Sequence, residues 1–194
     1  MGTVMKKALL SALFAGLCVA GTCASADPLL KYNNLDIAYR NTNPDSGTDL
    51  NGLQLNASYS PIENLFLQLG YDYDAESNLD INTFEYGGGG WYELMPDLHL
   101  VGLIGGKHER FSFDEFGSTS IDIFYIGPQL RYKVIDPLEL DGGYIWESGE
   151  GETSNNFNVG LLLGFTDNLA ARIAVEFLDG EDATRYTAGL RFVF

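Results

Sequence analysis

The side chains able to do acid–base or nucleophilic chemistry are few and lie apart. The chain holds two histidines. His99 stands beside a short turn, and His108 lies in the run Lys107-His108-Glu109-Arg110. With Ser112 or Asp114, His108 would supply a base and a nucleophile, because a hydroxyl attacks a carbonyl only when a neighbouring base takes its proton. The spacing matches no known pattern of that kind, so a solvated rim histidine is expected and no enzymatic activity is assigned. Gly87 to Gly90 lack the Gly-Lys-Ser/Thr ending and the following helix of a phosphate-cradling loop. They read instead as small strand residues that leave volume for Phe66 or Trp91, or bend the strand. Cys18 and Cys23 show no zinc-ligand spacing, and no cofactor is expected. Carboxylates are the abundant group: Asp45, Asp49, Glu76, Asp80, Asp114, Glu115, Glu150, Glu152, Asp179, Glu181 and Asp182 fall between the apolar segments. Such a crown keeps a surface solvated, bridges to anionic lipopolysaccharide through divalent cations, or draws cations to a pore mouth.

The elements that position these groups follow from composition and period. A chain of 194 residues with 23 Gly, 11 Tyr, 12 Phe and only 6 Pro suits one domain of many strands and tight turns. Its formal charge of -16 excludes a nucleic-acid partner held by phosphate neutralisation. Residues 1–26 run from Lys6-Lys7 through an apolar stretch to Ala24-Ser25-Ala26, the order of a secretory signal peptide cleaved near Ala26. Both cysteines would leave with it. No later stretch of about 20 apolar residues offers a membrane helix.

From residue 29 onward apolar and polar residues alternate with period two in about ten segments, with eight strands as the alternative. Leu35, Ile37 and Tyr39 alternate with Asp36, Ala38 and Arg40; Leu65, Leu67, Leu69, Tyr71 and Tyr73 alternate with Gln68, Gly70 and Asp72. The stretch 98–107 is apolar on both faces and its parity stays open. Short connections at 60–64, 95–97, 135–137 and 166–168 carry turn residues and are each followed by Leu. The connections near 41–49, 75–80, 109–118, 148–155 and 178–183 are expected to be longer loops on the opposite side. Pro128 lacks a donor and predicts a bulge or an unpaired position.

Alternation alone fits a soluble barrel too, so the contents of the two faces decide. One face carries Tyr39, Tyr59, Tyr86, Tyr92, Tyr132, Tyr144, Trp146, Phe157, Phe165 and Phe177, many near strand ends, as aromatic girdles do. The other carries Lys31, Arg40, Lys107, Arg131, Lys133, Arg172, Arg185 and Arg191 among Asp36, Asp72, Asp74, Glu85, Glu139, Asp141, Glu147 and Glu176. Charges of this density are too costly for a dry core but are accommodated in the lumen of a barrel set in lipid. The fold expected is therefore all-β: a transmembrane antiparallel up-and-down β-barrel over residues 27–194. Its candidate lumen ion pairs are drawn from those charges, Lys133 included.

The chain ends Thr187-Ala188-Gly189-Leu190-Arg191-Phe192-Val193-Phe194. Here it resembles bacterial outer-membrane β-barrel proteins, whose C-terminal assembly signal, polar-x-Gly-x-x-aromatic-x-aromatic, is matched at Thr187, Gly189, Phe192 and Phe194. More narrowly it resembles the small OmpA-like and OmpX-like barrel domains. That resemblance implies a Gram-negative outer-membrane location, insertion by the barrel-assembly machinery, and outer-membrane lipid and lipopolysaccharide as partners, with a monomer as the expected state. Two functions stay open: a non-enzymatic structural or surface-interaction barrel with a closed lumen, and a narrow cation-preferring, porin-like channel. An outer-membrane enzyme ranks third.

Overall fold

Residues that alternate between oil and water settle as strands whose two faces meet different media. The computed structural model describes residues 29–76, 79–113 and 117–194, so the leader expected over 1–26 lies outside the described residues, as do Asp114 and Glu115. The strands are β1 (Asn34–Pro44), β2 (Leu50–Ile62), β3 (Leu65–Glu76), β4 (Leu79–Met95) and β5 (Leu98–Phe113). They continue as β6 (Gly117–Ile135), β7 (Leu138–Gly149), β8 (Glu152–Thr166), β9 (Leu169–Leu178) and β10 (Ala183–Val193). Each pairs antiparallel with its chain neighbours, and β1 closes the ring on β10. The count is ten, which sets aside eight.

One device makes every tight end. Just before each short turn the descending strand slips register, between Tyr59 and Ile62, Glu93 and Met95, Lys133 and Ile135, and Gly164 and Thr166. A bulge of this kind tightens the local twist so that a very short link can reverse the chain. Asn64 and Asp97 take the left-handed conformation there, with φ of 65° and 68°, which short polar residues tolerate. The opposite end departs from expectation. Ladder pairing continues through much of the supposed loops, as far as Glu76 with Leu79 and Gly149 with Glu152. The connections shrink to 45–49, 150–151 and 179–182 at the three places where both flanks are described. Glu76, Asp80 and Glu152 are thus strand residues, because polar alternation above a membrane satisfies the ladder as well as apolar alternation within it.

The outer face is apolar and bare, with Leu53 and Leu67 both 61% exposed. A continuous band of that kind is stable only against lipid. Aromatic rings bound it above and below. Phe84 and Tyr92, Phe124 and Tyr132, Phe157 and Phe165, and Tyr186 and Phe194 are each eight residues apart on one strand or its end. Upper tyrosines fix their hydroxyls on polar partners one strand along: Tyr71 donates to Asn82 (2.7 Å), Tyr73 to Asp80 (2.8 Å) and Tyr144 to Asn155 (2.5 Å). Pro128 faces outward in this band, and pairing between β6 and β7 lapses at 127–128, then resumes unshifted at Gln129 with Gly143. Of the two expectations for Pro128 the unpaired position is the one found.

Candidate functional site

The lumen is where the charges meet. In its upper half Arg40 on β1 reaches over β2 to two carboxylates of β3. Its Nη1 donates to Asp72 Oδ2 (2.5 Å), its Nε donates to Asp74 Oδ1 (2.9 Å), and its Nη2 also pairs with Asp74. The strand between them carries Gly52, in register with both Arg40 and Asp74. A Cβ at Gly52 would lie 2.9 Å from Asp74 Cγ. The absence of a side chain is what lets the pair cross. The same arrangement recurs a few strands away. Arg172 on β9 donates to Asp141 on β7 (2.9 Å) across β8, where a Cβ at Gly160 would lie 2.5 Å from Asp141 Oδ2.

Links between neighbouring strands fill the spaces between: Arg185 donates to Glu176 (3.0 Å) and Arg191 holds Asp36 through two bonds of 2.7 Å, while Lys107 on β5 reaches over β6 to donate to Glu147 (2.5 Å). Glu85 accepts from Gln68 (3.1 Å), whose amide also donates to the Tyr125 hydroxyl (2.6 Å). Tyr125 lies over Gly87 and Gly105, and a Cβ at Gly89 would sit 2.7 Å from Phe66 Cζ. The glycine run therefore makes room for Phe66, as read from the sequence, and for Tyr125, which was not.

At the end of the tight turns the structure differs from the sequence reading. Alternation suggested a strand from residue 29, but 29–33 form turns and bends that enter the mouth of the barrel. Leu29 is 2% exposed and packs with Leu162 and Ala170. The Leu30 N–H donates to Glu139 Oε2 (2.8 Å), and the Lys31 carbonyl accepts from Arg131 Nη1 (3.2 Å). Tyr32 stacks on Phe66 (centroids 5.1 Å apart) and Trp91 (5.4 Å), and Arg131 lies over its ring at 4.7 Å. Its hydroxyl shares a 3.0 Å hydrogen bond with His99 Nδ1, and His99 stacks on Trp91 at 4.4 Å. The parity left open over 98–107 is thereby settled: His99, Val101 and Leu103 face inward, while Leu100 and Ile104 face out.

No family model matches the chain, and no curated protein does. Solved structures do. A NanC porin superposes with a TM-score of 0.53 at 10% identity, over 82% of this chain and 100% of that one. The β domain of the Bordetella autotransporter BrkA gives 0.53 at 11% identity, over 83% and 98%. A bacterial polysaccharide outer membrane secretin gives 0.51 at 9% identity, over 84% and 99%. The likeness is one of fold.

Within that fold the individual assignments separate. Asp36, Arg40, Asp72, Glu85, Arg131, Glu139, Asp141, Arg172, Glu176, Arg185 and Arg191 all face the lumen, and each has a polar partner there. Arg131 is opposite Asp141 in register yet takes Glu139, with Nε donating to Oε1 at 2.6 Å, because a guanidinium is longer than one rung. Lys133 departs from expectation: two residues from the end of β6, it pairs with Asp136 in the turn (2.6 Å) and so belongs to the rim. Lys31 is exposed and only its carbonyl turns inward. His108 points outward and bonds Asp122 (2.8 Å); Ser112 lies four residues further along the same strand, and Asp114 is outside the described residues. Of the residues of the C-terminal pattern, Thr187 and Gly189 face inward on β10, and Phe192 and Phe194 face the lower girdle.

The sequence reading missed Tyr32 and Asp122, and it gave His99 no partner. The doublet Leu29-Leu30, which breaks alternation, was the available signal for the first. Above the inserted segment remains a polar cavity of about 250 Å³, walled by Asn56, Ser58, Gln68, Asn158, Arg172 and Glu176 among others. Ser58 Oγ and Asn158 Oδ1 are buried there without a protein partner, which suits water or a small polar solute. Among the described residues no three His, Cys, Asp or Glu side chains are placed to hold a metal.

Proposed function

We propose that this chain is a non-enzymatic barrel of the Gram-negative outer membrane, with a closed, ion-paired lumen and a structural or surface-interaction role. The observation that carries the reading is the lumen itself. Arginines at positions 40, 131, 172, 185 and 191 and Lys107 are all engaged with carboxylates, three of these links joining neighbouring strands and three stepping over one strand, so that the charged side chains lie tied along the lumen wall. Such a wall braces the barrel and admits little traffic. Outer-membrane lipid and lipopolysaccharide are the proposed surroundings, the monomer the proposed state, and the barrel-assembly machinery the proposed route in. The resemblance to small OmpA-like and OmpX-like barrels rests on the C-terminal pattern ending in Phe194 together with the turn-to-strand phrases Asp136 to Leu140 and Asp167 to Leu169. Changing Phe194 to Asp should lower the amount of heat-modifiable protein in outer-membrane fractions and leave protease-sensitive chains in the periplasm. Undiminished outer-membrane protein in that variant would sink the localisation.

A narrow cation-preferring channel is the second reading, and one observation favours it. Among the described residues the cavity is lined by five carboxylates (Asp36, Glu85, Asp141, Glu147, Glu176) against four bases (Lys107, Arg131, Arg172, Arg191), a surplus of negative charge. Planar-bilayer conductance of the refolded protein separates the two. Silence supports the closed barrel, a small cation current supports the channel, and a large anion-selective current defeats both.

A further inference from the structure

Residues 29–32 belong to no strand, yet they are held in place by contacts of four kinds. Asn33 is the pin behind them: its Oδ1 accepts from Ser60 N–H (2.6 Å) and its carbonyl accepts from Phe194 N–H (3.2 Å). From that pin the chain folds back into the mouth with Leu30 at φ 54°, a conformation leucine rarely adopts. Only attachment on both sides of Leu30 keeps it there. Leu29 fills an apolar notch, Glu139 holds the Leu30 N–H, Arg131 holds the Lys31 carbonyl, and Tyr32 rests on an aromatic stack.

None of these contacts is a rung of the barrel. The ladder from β1 to β10 begins at Asn34 with Val193 and is complete without them. Withdrawal of the segment would leave ten paired strands and open the periplasmic mouth onto the polar cavity. We propose that residues 29–32 are a latch: seated, they stop the lumen, and unseated, they leave a narrow path for small cations past the surplus carboxylates. Tyr32 is the key of the latch, since it touches Phe66, Trp91, His99 and Arg131 at once. The proposal rests on the closed-lumen reading and says where the closure is made.

The test compares the full chain, refolded, with Tyr32→Ala and with a variant lacking residues 29–32, each checked for folding by heat-modifiable migration. Single-channel recordings in a potassium chloride gradient should show a silent parent. Both variants should open steadily, with cation-selective reversal and an open probability raised about tenfold or more, as loss of one buried ring implies. A second readout needs no current. The chain has two tryptophans; in a Trp146→Phe background Trp91 alone reports on the mouth, and Tyr32→Ala should raise its quenching by aqueous iodide several-fold. A folded Tyr32→Ala protein that stays silent, or whose Trp91 stays shielded, overturns the latch and leaves the closed lumen standing. Steady conduction by the parent overturns the closed lumen instead. If the deletion does not fold, Tyr32→Ala, which removes no rung, decides by either readout.

Discussion

Gly52 and Gly160 show how much of the lumen depends on atoms that are missing. At two places where an arginine reaches over a strand, the residue of that strand opposite the carboxylate is glycine, and a Cβ there would collide with the carboxylate. Replacing Arg40 by Met should leave Asp72 and Asp74 buried without their cation and lower stability by about 3 to 5 kcal/mol. Gly52→Val should act in the same direction by forcing Asp74 off the guanidinium. Because both break one link, the double variant should cost less than the sum of the singles; urea midpoints of vesicle-inserted barrels measure all three, and strict additivity would deny the crossing. At this scale the inward direction of the charges was legible, since parity places Asp36, Arg40 and Asp72 on one face. The partners were not, because the reach of a side chain exceeds the spacing of rungs. Arg131 passes over Asp141 for Glu139, and Lys133 turns to Asp136.

Strand β8 carries both media on adjacent residues. Leu161 faces lipid and Gly160 faces the lumen, and lumen positions are ordinarily the more forgiving. Here they are not. Leu161→Arg should cost about 2 to 4 kcal/mol near the midplane. Gly160→Arg should cost at least as much, since Asp141 already occupies the space and would lose Arg172. Gly102, whose outward side meets nothing within 4 Å, is the control, and Gly102→Leu should be close to neutral. Unfolding titrations from vesicles give the order; a mild Gly160→Arg beside a severe Gly102→Leu would invert the faces. Strand existence, the tight turns before Leu65, Leu98, Leu138 and Leu169, and the unpaired Pro128 were readable from alternation and turn chemistry. Strand ends at the far side were not, because Glu76 and Glu152 pair as readily in water as leucines do in lipid. The seated segment was hidden for another reason: Leu29 and Tyr32 earn their burial from residues far along the chain.

For the molecule as a whole, lumen and latch share one side chain. Arg131 holds Glu139, caps Tyr32 and binds the Lys31 carbonyl, so losing it strips the mouth and the wall together. Exchanging Arg131 and Arg172 for Met should therefore give more cation leak than Arg172→Met alone, and should raise sensitivity of cells to small charged antibiotics. Equal leak in the two, recorded in bilayers, would separate wall from mouth. The girdles set a different quantity. Ring pairs eight residues apart span about 26 Å along a strand, or about 20 Å of depth at a tilt of about 40°. That is short of the roughly 30 Å hydrocarbon core of an average bilayer. The barrel carries a ruler for thin membranes. Vesicles of short-chain lipid should take it up faster than vesicles of long-chain lipid, and a uniform rate would mean that the rings do not gauge depth. On this measure, thickness mismatch alone would already penalise a wrong compartment, so that sorting begins in the spacing of eight residues.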